Sequence, residues 1–168
     1  VTVTITGTGD APIVAIADVT GAVTELETPA GNLTDSGTIG FTDVDLTDTH
    51  SIGAVTPSAG ALGALTASVT ADTTNTGTGG VVSWDYSVAA ADVEYLAEGQ
   101  TKVETFTFDV VDSAGGDTVQ RTVTVTITGT GDAPIVAIAD VTGAVTELET
   151  PAGNLTDSGT IGFTDVDL

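Results

Sequence analysis

The stretch Thr101-Lys-Val-Glu-Thr-Phe-Thr-Phe-Asp-Val-Val111 alternates apolar and polar residues. Phe106, Phe108 and Val110 fall on one side, Thr105, Thr107 and Asp109 on the other. A period of two marks a strand with one buried face, because successive side chains leave a strand on opposite sides. The same period runs through Thr122–Thr128, with Val123, Val125 and Ile127 inward. It runs through Val81–Ser87, with Val82, Trp84 and Tyr86 set against Ser83 and Asp85, and through Ser36–Asp43, with Ile39 and Phe41 set against Thr38 and Thr42. Further strands are expected at 12–24, 50–56 and 62–70. Only Ala89–Leu96 suits a helical turn.

Working outward from these strands, residues Val1–Leu46 recur letter for letter as Val123–Leu168, an offset of 122 residues. Identity over such a length means recent or homogenised tandem copying, and the period suits a whole domain rather than a solenoid turn. Gly-Thr-Gly-Asp-Ala-Pro, at 7–12 and again at 129–134, punctuates the pattern and sets its phase. Residues 1–10 are then expected to be the C-terminal strand and linker of a preceding repeat. Residues 11–132 form one complete repeat, and 133–168 the N-terminal part of the next identical one. The opening Val-Thr-Val-Thr-Ile-Thr has neither a Met nor a signal peptide's basic start and apolar core, so the sequence reads as a piece of a longer chain. Short strands with Gly-rich turns predict an all-β fold: an antiparallel Greek-key, Ig/cadherin-like β-sandwich of about seven strands, in tandem array.

The 168 residues carry 24 acidic side chains against 2 basic ones, a formal charge of −22. Nucleic acid and anionic membrane surfaces are excluded as electrostatic partners, since both require Lys and Arg. A hydrophobic content of 40% argues for a folded chain rather than the disorder that such charge usually brings. There is no cysteine, hence no disulfide and no thiolate metal site. No apolar run approaches ~18 residues, so no membrane insertion is expected.

If successive strands alternate in direction, each connection is assigned to one pole of an elongated unit. Glu25, Glu27, Asp35, Asp92, Glu94, Glu98 and the linker Asp132 then fall at the C-terminal pole. Asp43, Asp45, Asp48, Asp72, Asp112 and Asp117 fall at the N-terminal pole. Two carboxylates ~4 Å apart near a surface repel by about 4 kcal/mol at an effective dielectric of 20. A hard divalent cation with six to eight oxygen ligands removes that cost, and calcium suits the donor set better than magnesium or zinc. The alternative is that these acids are simply solvated turn residues.

Phe41-Thr-Asp-Val-Asp-Leu-Thr-Asp-Thr-His50, Tyr95-Leu-Ala-Glu-Gly99, Thr122–Thr130 and Gly131-Asp-Ala-Pro134 resemble the VCBS repeats of very large bacterial surface proteins. Those repeats are similar to the cadherin-like domains of RTX-type adhesins. The resemblance covers essentially the whole 122-residue unit and implies secreted, cell-surface extender domains with calcium at their junctions. Asp43 and Asp45 match the cadherin-like Asp-x-Asp element, and Asp112 its Asp-x-Gly element with one extra residue. Glu25 matches the early acidic ligand and Asp132 the linker aspartate, while Asp92-Val-Glu94 is a loose match to Asp-Arg-Glu. Gly131 stands where the linker Asn would be. The implied junction around Asp132 combines Glu25, Glu27, Asp92 and Glu94 with Asp165 and Asp167 of the next repeat. At the other end, Asp10 joins Asp43, Asp45 and Asp112.

Other motifs lead elsewhere only weakly. Asp43-x-Asp45-x-x-Asp48 lacks the sixth-position Gly and flanking helices of an EF-hand, and Gly77–Gly80 lacks the Lys-Ser/Thr of a phosphate loop. His50 has no nucleophile partnered to it and reads as a loop hydrogen-bonding residue. The Thr-x-Thr runs are ordinary strand surface rather than an ice-binding face. The expected role is structural: a calcium-rigidified extender that projects a distal adhesive domain, its partners the neighbouring identical repeats. The rival is a ligand-binding or self-association module making glycan or homotypic contacts. An enzymatic role is not expected.

Overall fold

The structure is a computed structural model that describes residues 1–15, 18–114, 117–137, 139–150 and 152–167. Its strands are β1 (Ile13–Val14), β2 (Thr20–Thr24), β3 (Asn32–Thr42), β4 (His50–Ile52), β5 (Thr56–Pro57), β6 (Ala64–Ala71), β7 (Gly80–Ala89), β8 (Thr101–Asp112), β9 (Thr118–Thr128), β10 (Ile135–Ala137) and β11 (Gly162–Thr164). A 3-10 turn, Ala90–Asp92, lies inside the segment expected to hold a helical turn. Two sheets form a β-sandwich, one in the order β1-β3-β7-β6, the other β2-β9-β8-β4 with β5 also on β8. The inward sets read from the period of two close the core between them. Ile39, Val82, Trp84, Tyr86, Phe106, Phe108, Val110, Val123, Val125 and Ile127 are all buried. Trp84 donates its indole N–H to the Asp18 carbonyl at 2.8 Å. Gly37 lies opposite it in register, and a Cβ there would come within 2.5 Å of the indole ring.

The strands depart from the expected ones in three places. The expected strand 12–24 is two strands on different sheets, β1 against β3 and β2 against β9. Ile16 and Ala17, in the middle of that stretch, lie outside the described residues. The expected strand 50–56 breaks after Ile52 and resumes at Thr56–Pro57, because three residues of this segment face only two of β8. Against the expected antiparallel sandwich, the β2–β9 ladder is parallel, while the other ladders of the described residues are antiparallel. The repeated sequence repeats its local structure. Ile135 pairs with Thr164 and Val136 with Phe163, as Ile13 pairs with Thr42 and Val14 with Phe41.

One charged side chain belongs to the core. Glu104 is fully buried at an inward position of β8 and accepts from Leu62 N at 2.7 Å, Gly63 N at 3.1 Å and the Tyr86 hydroxyl at 3.0 Å. It ties the connection before β6 to the middle of the sandwich. Burial, then the bond to Glu104, pushes the Tyr86 hydroxyl pKa well above its ordinary value. Replacing Glu104 by Ala strands one buried and two half-buried donors, and is expected to cost about 3 kcal/mol in urea unfolding. Tyr86→Phe removes one bond and is expected to cost about 1–2 kcal/mol. Equal stability of the parent and Glu104→Ala proteins would show that this anchor is dispensable.

Candidate metal centre

At the C-terminal pole β2 runs out into Glu25, whose backbone N–H continues the ladder to the Thr128 carbonyl at 2.8 Å. That places its side chain inward at 1% exposure. Its Oε2 accepts from the Thr130 N–H at 2.7 Å and from the Thr130 hydroxyl, while Oε1 is buried without a partner. Glu94 follows the 3-10 turn and presents a buried, unpartnered Oε1. Both carboxylate oxygens of Asp132 are likewise unpartnered, as is Oδ1 of Asp167. Asp167 Oδ2 accepts the Asp132 N–H at 3.0 Å, so the head of the next repeat is fastened to the linker. Glu25, Glu94 and Asp132 bring one oxygen each within 4.8 Å of the others. Desolvation, then the charges of Glu25 and Asp167, raises the Asp132 pKa. Desolvation, then the charges of Glu25 and Asp132, raises that of Glu94.

At the N-terminal pole Asp43 closes β3 and is 2% exposed. Its Oδ1 accepts the Asp45 N–H at 2.8 Å, and its Oδ2 lies 3.0 Å from His50 Nε2. The other imidazole nitrogen lies 2.7 Å from Asp72 Oδ1, and the His50 N–H donates to Asp72 Oδ2 at 3.0 Å. A ring with a carboxylate at each nitrogen is satisfied only as imidazolium. Burial works against that charge, but the bonds to Asp72 and Asp43 outweigh it and hold the His50 pKa above its ordinary value. Asp72 moves the other way: burial opposes it, but hydrogen bonds from the His50 backbone and ring lower its pKa. Asp112 gives Oδ1 to the Ala114 N–H at 3.2 Å and keeps Oδ2 buried and unpartnered. Asp48 also keeps a buried, unpartnered Oδ2, its pKa raised by desolvation and then by the Asp112 charge. Asp10 enters through its backbone, donating to Asp45 Oδ2 at 2.7 Å, as Asp132 does to Asp167.

Of the residues singled out from the sequence, Glu25, Glu94, Asp132 and Asp167 thus meet at one pole. Asp43, Asp45, Asp112 and the linker residue Asp10 meet at the other. Asp165 is exposed and accepts the Asp167 N–H at 3.1 Å, and Glu27 is also exposed; both act on Asp132 through their charge. Asp92 is exposed and stands outside the group formed by Glu25, Glu94 and Asp132. Asp35, expected in the connection between the first two strands, lies within β3 and accepts the Ala22 N–H at 2.7 Å. Asp48 and Asp72, which the sequence places at the N-terminal pole without making them ligands, and His50, which it makes a loop hydrogen-bonding residue, complete the group there. The signal for Asp48 was its place in the same acidic string as Asp43 and Asp45.

At the C-terminal pole the donor set fits a hard divalent cation: oxygens only, several of them buried and without a hydrogen-bond donor, whereas the Asp43–Asp112 group also includes a His50 nitrogen. The two basic side chains, Lys102 and Arg121, lie on β8 and β9. Arg121 is committed to the Val14 and Gln120 carbonyls.

No family model matches the chain, and no curated protein matches it. Among solved structures it is similar to the N-terminal domain of PorA, 16% identical over 73% of this chain and 99% of that one, with a TM-score of 0.42. It is also similar to AggA, the major subunit of aggregative adherence fimbriae type I from Escherichia coli: 13% identical, 73% and 97% covered, TM-score 0.33. Likenesses at these scores carry neither the fold nor the function.

The raised carboxyl pKa values of Asp48, Glu94 and Asp132 mean that the folded state binds protons more tightly than the unfolded one. Without a metal, stability therefore falls as pH rises from the ordinary carboxylate range through the raised values. The raised His50 pKa acts in the same sense, its contribution being lost as pH rises through the folded-state value. In chelator, the melting temperature is expected to rise as pH is lowered from about 8 to about 5. With millimolar calcium that trend should flatten or reverse, because protons then compete with the cation. Coincident pH profiles in chelator and calcium would contradict this.

Proposed function

We propose that the chain is part of a tandem array of extender units, stiffened by calcium at their joints, in a large secreted bacterial adhesin that projects a distal adhesive domain. Residues 11–132 are one unit, flanked by the tail of its predecessor and the head of its successor. On this reading each unit is a Greek-key, Ig/cadherin-like sandwich of seven strands, with β1 and β2, and β4 and β5, counted as single strands; the orders β1-β3-β7-β6 and β2-β9-β8-β4 agree with it. The observation that carries the reading is the group of five buried, unpartnered carboxylate oxygens around Asp132. They come from Glu25 and Glu94 of one unit, from the linker, and from Asp167 of the next.

The repeat supplies the rest of the joint. Asp10, Asp43 and Asp45 are the same residues of the unit as Asp132, Asp165 and Asp167. Each joint therefore joins the Glu25–Glu94 side of one unit to the Asp43–Asp48–Asp112 side of its successor through a shared linker aspartate. Calcium held there would supply the positive charge that the side chains lack and fix two sandwiches relative to each other. A resemblance to VCBS repeats, the near absence of Lys and Arg, and the copying of identical units agree with a spacer.

A second reading has one feature in its favour. The edge strand β6, Ala64–Ala71, has no charged residue and no proline, and such edges pair readily with another chain. Calcium-independent dimers in sedimentation would favour self-association.

The test of the main reading is a two-unit chain, made by carrying the sequence on with a copy of residues 47–132. X-ray scattering should give a longer maximum dimension in calcium than in chelator. The melting temperature should rise by about 5–10 °C at saturating calcium. An unchanged dimension and melting temperature would overturn the reading.

A further inference from the structure

The inference rests on the calcium-joint reading and concerns the walls beside its carboxylates. Next to Glu94 and Asp132 the two units enclose a cleft of 820 Å³. One wall holds Pro29 and Ala91 of the complete unit, and the other Ile135 and Val166 of the following head. Ile135 and Val166 remain 70% and 46% exposed. Their copies at the opposite pole, Ile13 and Val44, are each 69% exposed. Every unit therefore presents the same two aliphatic side chains to the unit before it, whose wall offers Pro29 and Ala91 beside Glu27, Thr28 and Glu94. Elsewhere the outward strand positions are mostly Thr and Ser, as Thr105, Thr107, Thr122 and Thr124 show. Large exposed aliphatic groups set at one pole mark a contact.

We propose that these apolar walls are a docking surface for the adjacent repeat, and that they close on each other when the neighbouring carboxylates bind cation. Repulsion among Glu25, Glu94, Asp132 and Asp167 holds the cleft open. Neutralising that charge removes the obstacle, and burying Ile135 and Val166 against Pro29 and Ala91 then favours the closed joint. Cation binding and apolar closure lead to the same state, so each strengthens the other. The walls thereby raise calcium affinity while donating no side-chain ligand.

The two-unit chain tests this, because its lack of cysteine lets dyes be placed at Thr66→Cys and Ser158→Cys alone. Energy transfer between the dyes is titrated with calcium in the parent, in Ile135→Ser with Val166→Ser, and in Pro29→Ser with Ala91→Ser. The second pair alters only the receiving wall, so it answers even where the first disturbs the β10–β11 pairing. Half-saturating calcium is expected to rise about tenfold in each. Folded variants, by circular dichroism, whose half-saturation stays within about twofold of the parent would overturn the coupling. A parent whose energy transfer ignores calcium would overturn the calcium joint itself, and the coupling with it.

Discussion

Negative charge without a protein counter-charge is the constraint on which this structure depends. Around Asp132, carboxylate oxygens from Glu25, Glu94 and Asp167 are turned inward and given no donor, while backbone and hydroxyl groups hold the remaining oxygens in place. In isolation such an arrangement costs free energy twice, through desolvation and through repulsion. The raised pKa values of Glu94 and Asp132 express both costs. The N-terminal pole relieves part of the same cost internally, with the His50 imidazole held between Asp43 and Asp72. Among the described residues the C-terminal cluster has no such partner, and an external cation suits it.

The sandwich makes this crowding possible. Two sheets packed around Trp84, Phe106 and Phe108 place the ends of β2 and β3 at the poles, so that the first acids beyond them, Glu25 and Asp43, are buried. Glu25 is fixed by the ladder bond to Thr128, and Asp43 by its contacts with Asp45 and His50. The interior uses the same economy: Glu104 has every neighbour it needs from Leu62, Gly63 and Tyr86, and no oxygen is left over. A buried carboxylate with a full set of donors anchors a fold. One with a free oxygen, beside three others, prepares a site.

Much of the architecture was legible because it follows from a period of two. The inward positions of β3, β7, β8 and β9 are those the alternation assigns, and the polar location of most loop acids follows from alternating strand direction. What escaped depends on contacts between distant segments. His50 finds Asp43 and Asp72 across two loops, and neither spacing announces the pair. The exchange of sheets between β1 and β2 leaves no compositional mark that separates it from one longer strand. Glu104 did leave a signal, since it shares the parity of Phe106 and Phe108, but parity alone does not say whether an inward carboxylate is satisfied. Asp92 and Glu94 look equivalent in sequence; Asp92 ends the 3-10 turn and is exposed, while Glu94, two residues on, joins the cluster.

The central claim is that the unpartnered oxygens around Asp132 exist to hold a divalent cation, and titration calorimetry tests it most directly. Calcium titrated into the parent chain should give a saturable isotherm. Asp132→Asn combined with Glu25→Gln should weaken or abolish that binding by at least about tenfold, while circular dichroism stays that of a folded β protein. No heat of binding at millimolar calcium, or an isotherm that the double substitution leaves unchanged, would contradict the account.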